Sequence, residues 1–124
     1  MNVADSSAWI EYFGGGDIAS SFSPVLEDLP NLIVPSIVIY EVNKWMSIKQ
    51  STEAAKTAVS MLMRGKVVLL DPTLAVDASN LSIIHKLPMA DSIIYATAAQ
   101  NNATVWTTDK HFKGLPNVEY REKE

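Results

Sequence analysis

Residues 87–112 read LPMADSIIYATAAQNNATVWTTDKHF, and the order of elements in this stretch decides the fold. Ala90, Ile93, Ile94, Ala96, Ala98 and Ala99 predict a helix that carries Asp91 near its start. Asn101 and Asn102, residues that tolerate left-handed backbone, stop it. Thr104-Val105-Trp106-Thr107 is β-branched and aromatic, the composition of a strand, and the strand is read as buried and ending at Asp109. In a parallel sheet the end of a strand and the start of a neighbouring helix share one edge, and ligands of open α/β folds bind on that edge. Asp91 and Asp109 are therefore expected in one crevice.

Outward from this stretch, strands and helices alternate. Met1 to Asp5 predicts a first strand, after which Ser6 or Ser7 caps a helix through Trp9, Ile10, Tyr12 and Phe13. Gly14-Gly15-Gly16 breaks that helix; it follows a helix and precedes no Lys-Ser/Thr pair, so it is not a phosphate-binding loop. Asp17 is expected to cap a second helix reaching Asp28, across Pro24. Leu32-Ile33-Val34 is a bare apolar strand of the buried parallel type. Pro35-Ser36 opens a helix to about Gln50 with Val38, Val42, Trp45 and Met46 at core spacing. Ser51 or Thr52 caps a helix to Arg64, closed by Gly65. Val67 to Leu70 reads as a third buried strand, Asp71-Pro72-Thr73 as the start of a helix through Leu87, and Val118-Glu119-Tyr120 as an edge strand. The alternation predicts an α/β fold, a three-layer sandwich around a parallel sheet of four or five strands.

A chain of 124 residues is expected to form a single domain, residues 1–124, hiding roughly two-thirds of its unfolded surface. Hydrophobic content of 48% marks a globular chain. There is no cysteine, which excludes disulfides and thiolate metal sites. No apolar run approaches the ~20 residues of a membrane span, and the amino terminus lacks the basic region of a signal peptide, so a soluble cytoplasmic protein is expected. The net charge of −4 argues against a nucleic-acid binder driven by its own positive charge, but not against an enzyme that meets nucleic acid through bound cations.

Asp5 ends the first strand, Asp109 the later one, Glu41 lies in the second turn of the helix after the second strand, and Asp91 in the first turn of its own helix. In a parallel sheet all four project toward one edge. Each has an ordinary use as well: Asp5 as a helix cap, Asp91 as an acid favoured by the helix dipole, Asp109 as a turn cap. Glu41 interrupts an apolar neighbourhood, where a glutamate is usually paired or bound. Two carboxylates about 4 Å apart repel by roughly 4 kcal/mol at an effective dielectric of 20. Four of them take up protons or require a cation, and no lysine or arginine is obviously placed to neutralise the group. All-oxygen ligands select a hard ion, Mg²⁺ or Mn²⁺. A water bound to such an ion can attack a phosphodiester. His85 and His111 are read as surface or packing residues, and Lys110 as solvated.

These pieces resemble a PIN-domain ribonuclease, in particular the VapC-type toxins of toxin–antitoxin pairs. The matching motifs are Asp5-Ser6-Ser7, Pro35-Ser36-Ile37-Val38-Ile39-Tyr40-Glu41, Leu87-Pro88-Met89-Ala90-Asp91 and Thr107-Thr108-Asp109-Lys110-His111-Phe112, in the family's order and across nearly the whole chain. The resemblance implies a metal-dependent endoribonuclease that cuts RNA and blocks translation until an antitoxin protein covers its site. It implies that Asp5, Glu41, Asp91 and Asp109 hold Mg²⁺ or Mn²⁺, that Ser7 and Thr107 bond a ligand carboxylate or the substrate phosphate, and that the chain forms a homodimer. Helix capping and strand-end bonding are the ordinary use of both hydroxyls. Many relatives carry an acid two residues after the last ligand, where this chain has His111, so the resemblance implies a first metal and leaves one or two ions open.

Two other classes compete. In a flavodoxin-like phosphoacceptor signalling domain, Asp71 at the end of the third strand would take the phosphoryl group, with Lys110 or Lys113 as charge partner; Asp5, flanked by serines, lacks the acid pair that design needs. A non-catalytic binding module on the same fold would bind no divalent ion and tolerate carboxylate-to-amide changes.

Overall fold

The computed structural model describes residues 1–123. Five strands, β1 (Asn2–Ala4), β2 (Leu32–Pro35), β3 (Lys66–Val68), β4 (Thr104–Thr107) and β5 (Val118–Tyr120), form one sheet in the order β3-β2-β1-β4-β5. Every pairing is parallel. Six helices flank the sheet: α1 (Ser6–Gly14), α2 (Ala19–Leu26), α3 (Ser36–Lys49), α4 (Thr52–Leu62), α5 (Pro72–His85) and α6 (Met89–Gln100). The expected α/β sandwich around a parallel sheet is the fold observed.

The core follows from the apolar runs. β2 is buried along its whole length, and Val3, Ala4 and Val105 of the two strands beside it or its neighbour are fully covered. Val38, Val42 and Met46 of α3, Leu62 of α4 and Ile94 and Ala98 of α6 close over them. No described helix is long and apolar enough to cross a membrane.

Local boundaries depart from expectation in four places. Asp5, not Ser6 or Ser7, caps α1: its Oδ1 accepts from the Ala8 N–H at 3.1 Å. Asp17 does not cap α2, whose N-cap is Ile18 without a side-chain bond. Pro24 is tolerated inside that short helix, and the Ser23 hydroxyl donates to the Ser20 carbonyl, the group that proline leaves without its i+4 donor. β3 is shorter than expected and is an edge strand, so Leu69 (71% exposed) and Leu70 lie outside it. β4 stops at Thr107, and a single 3₁₀ turn over Lys110–Phe112 follows Asp109.

This topology sets the site. β1 sends its chain to β2 on one side, and the last crossovers return to β4 on the other, so the strand order reverses at β1 and β4. A crevice opens outside the carboxyl ends of strands at such a reversal. Asp5 follows β1 there, and Asp109 follows β4.

Candidate metal centre

Asp5 is the most deeply placed acid, 2% exposed. It is held by short-range bonds that its own sequence and β4 supply. Its Oδ1 accepts from the Ser7 hydroxyl at 2.6 Å and from Ala8 N–H, and its Oδ2 accepts from the Thr107 hydroxyl at 2.8 Å. A carboxylate has about four acceptor sites, so three are taken and one is left. Ser7 and Thr107 also receive backbone donors, from Thr108 N–H at 3.1 Å and Asp109 N–H at 2.8 Å respectively. The two hydroxyls thus lock the end of β4 onto the start of α1, and capping and site-building are the same bonds.

Glu41 is half-buried on α3, where its Oε1 accepts from the Ser6 hydroxyl at 3.1 Å. Asp91, in the first turn of α6, has a side chain only 13% exposed. Asp109 Oδ1 accepts from the His111 N–H at 2.9 Å, the cap of the 3₁₀ turn. That turn carries the His111 ring back over the site: its Nδ1 stands 3.0 Å from Asp109 Oδ1 and 3.1 Å from Asp91 Oδ2. The contact with Asp91 becomes an ion pair when the ring is protonated; apart from the His111 ring, the buried Asp91 Oδ2 faces no donor among the described residues.

The four predicted acids feel one another, but not equally. Donor atoms of Asp91, Asp109 and His111 lie within 4.8 Å of one another; Asp5 and Glu41 stand outside that group. Burial pushes the Asp5 carboxyl up to about 7, against the lowering pull of the Ser7 and Thr107 hydroxyls, with the Asp109 charge adding to the rise. Burial, then the charge of Asp109, pushes Asp91 up to about 6, with Glu41 adding and His111 opposing. Glu41 is raised by burial and by Asp109. Among the described residues no lysine or arginine forms an ion pair with any of the four. A buried carboxylate oxygen that meets only a neutralisable imidazole, beside a second carboxylate, fits a divalent cation by its charge and its oxygen donors.

Sequence reasoning passed over His111. Its signal was the two-residue spacing from Asp109 at a strand end, where a tight turn folds position 111 back on 109. Asp71 is elsewhere: β3 is an edge strand two places from β1, and Asp71 Oδ1 caps α5 by accepting from Leu74 N–H at 2.8 Å. That placement gives the phosphoacceptor reading no crevice.

Three solved structures share the fold. A toxin–antitoxin complex from Klebsiella pneumoniae superposes with a TM-score of 0.81 at 24% identity, over 99% of this chain and 100% of that one. Mycobacterium tuberculosis VapC20, a sarcin-ricin loop cleaving toxin, gives 0.80 at 17% identity, over 98% and 99%. VapBC2 from Rickettsia felis, bound to a DNA fragment from its promoter, gives 0.73 at 16% identity, over 99% and 98%. A search of curated proteins finds no match. The family model of the PIN domain matches residues 3–118, from the first strand to the start of the last, so the chain belongs to the PIN-domain family.

Proposed function

We propose that the chain, as one domain over residues 1–124, is a metal-dependent endoribonuclease and the toxin of a toxin–antitoxin pair that inhibits translation. The observation that carries this reading is the buried Asp91 Oδ2, faced by no donor but the His111 ring, within the field of Asp109 and Glu41, with Asp109 acting on Asp5 as well. PIN-domain membership and the likeness to toxins of known structure support it.

In this reading Asp5, Glu41, Asp91 and Asp109 hold Mg²⁺ or Mn²⁺. When bound, the ion supplies a water nucleophile at neutral pH and positive charge for the phosphorane-like transition state. The chain's own residues do the rest. Ser7 and Thr107 fix the Asp5 carboxyl by hydrogen bonds and partly offset the rise that its burial causes. Ser6 holds Glu41 toward the crevice wall, and the Asp109 cap fixes the turn that closes the site. Placing these groups in advance avoids reorganisation as charge develops on the phosphate oxygens.

A groove lined by Ile10, Tyr40, Lys44, Trp45 and Ile48 runs beside Ser6 and Glu41. Tyr40 and Ile48 are exposed there, an apolar strip of the kind that takes an amphipathic helix. The cognate antitoxin is assigned to this groove, where it would cover Glu41, and a homodimer is expected from the family.

The test is cleavage of a panel of structured RNAs by purified protein with Mn²⁺. Asp5→Asn and Asp91→Asn are expected to fold and to leave the RNAs intact. If the native chain cut no faster than Asp5→Asn, the enzyme reading would fall.

A further inference from the structure

We propose that His111 is a direct ligand of the ion, and that its Nδ1, with Asp91 Oδ2 and Asp109 Oδ1, forms a mixed nitrogen–oxygen face that takes Mn²⁺ in preference to Mg²⁺. This deepens the reading of the same site as metal-dependent.

The two separations from the ring nitrogen match adjacent positions around one ion. Donors about 2.1 Å from one ion, at right angles to each other, stand roughly 3.0 Å apart. The Nδ1 separations from Asp109 Oδ1 and Asp91 Oδ2 are 3.0 and 3.1 Å. Among the described residues no donor besides the His111 ring faces the buried Asp91 Oδ2, and one ring nitrogen faces two carboxylate oxygens at once, an arrangement that one shared cation satisfies. A packing role fails, because the His111 side chain is 59% exposed. Its backbone nevertheless ties it in place: the His111 N–H donates to Asp109 Oδ1, so ring and carboxylate move as one unit.

The chemistry then follows. Mg²⁺ is hard, takes oxygen and gives up its waters reluctantly; Mn²⁺ also favours oxygen but, as a first-row transition ion, accepts an imidazole nitrogen among oxygen ligands more readily than Mg²⁺ does. With Nδ1 as the ligand atom, the ring proton resides on Nε2. An acid at position 111 would make the face all-oxygen and remove the discrimination.

Pulsed electron paramagnetic resonance of Mn²⁺ bound to the untagged chain reads nitrogen ligation directly, through ¹⁴N modulation. The expected result is ¹⁴N modulation in the native protein, lost in His111→Gln; the other histidine, His85, packs its ring against Tyr95 and supplies none. In competition titrations His111→Asp is expected to lower the Mn²⁺ over Mg²⁺ preference at least about tenfold, a loss typical even of groups that only support a ligand. Asp91→Asn marks the site by weakening Mn²⁺ binding itself. Mn²⁺ that binds in an Asp91-dependent way without ¹⁴N modulation, or with modulation that survives in His111→Gln, overturns the proposal and leaves the nuclease reading standing. A native chain that binds no Mn²⁺ overturns both.

Discussion

At the scale of residues, the site is a store of unfavourable ionisation. Asp5 and Asp91 have folded-state values of about 7 and about 6, above the 3.8 of a free aspartate. A folded carboxyl that holds its proton more tightly than the unfolded one stabilises the protein at low pH, and that contribution is lost as pH rises through about 4 to 7. The metal-free chain is therefore expected to lose stability across this window, by on the order of 4 kcal/mol from Asp5. Thermal melts at pH 5 and pH 8 check it: the metal-free melting temperature falls toward pH 8, and saturating Mn²⁺ reverses the fall. A flat profile would mean that burial does not oppose the charged forms. Thr107 is the second residue with a sharp expectation. It is fully buried, donates to Asp5 and accepts from Asp109 N–H. Thr107→Val leaves both partners unsatisfied and is expected to cost about 2 kcal/mol in chemical denaturation while also lowering cleavage.

At the scale of elements, helix starts and close approaches decide what can change. Asp71 caps α5 and lies outside the crevice. Asp71→Ala is expected to cost about 1 kcal/mol of stability and leave cleavage and Mn²⁺ affinity unaltered; a loss of activity at equal folding would reopen the phosphoacceptor reading. Gly65 sits where α4 hands over to β3, and a Cβ there would stand 2.9 Å from Val34 Cγ2 and 3.2 Å from the Leu32 carbonyl. Gly65→Ala is expected to cost about 1–3 kcal/mol, read from the denaturation midpoint, because β2 behind it is packed on both faces. Most elements were legible because their signals are local. The β-branched run of β4, the apolar run of β2 and the asparagines after α6, with Asn102 at a φ of 50°, each act within a few residues. Boundaries were less legible where side chains bond across the chain. Asp5 rather than a serine caps α1 because Thr107, distant in sequence, holds the carboxylate beside the helix start.

At the scale of the whole molecule, one apolar surface has no intramolecular partner. Leu70, just after β3, Ile83 of α5 and Met89 of α6 line one groove and are exposed there. If the chain is the expected homodimer through this face, sedimentation velocity gives a dimer for the native protein and a monomer for Ile83→Glu; a native monomer at micromolar concentration would remove that assignment. The sequence by itself determined the element types, the α/β class and the carboxyl edge on which the acids collect, because hydrophobic period and turn chemistry are written in neighbouring residues. Only the tertiary structure decided that β3 is an edge strand, that Asp5 has one free acceptor site, and that His111 rather than Glu41 stands nearest Asp91 and Asp109. Those depend on distances between residues far apart in the chain, which strand order and a single turn after β4 set and no local pattern encodes.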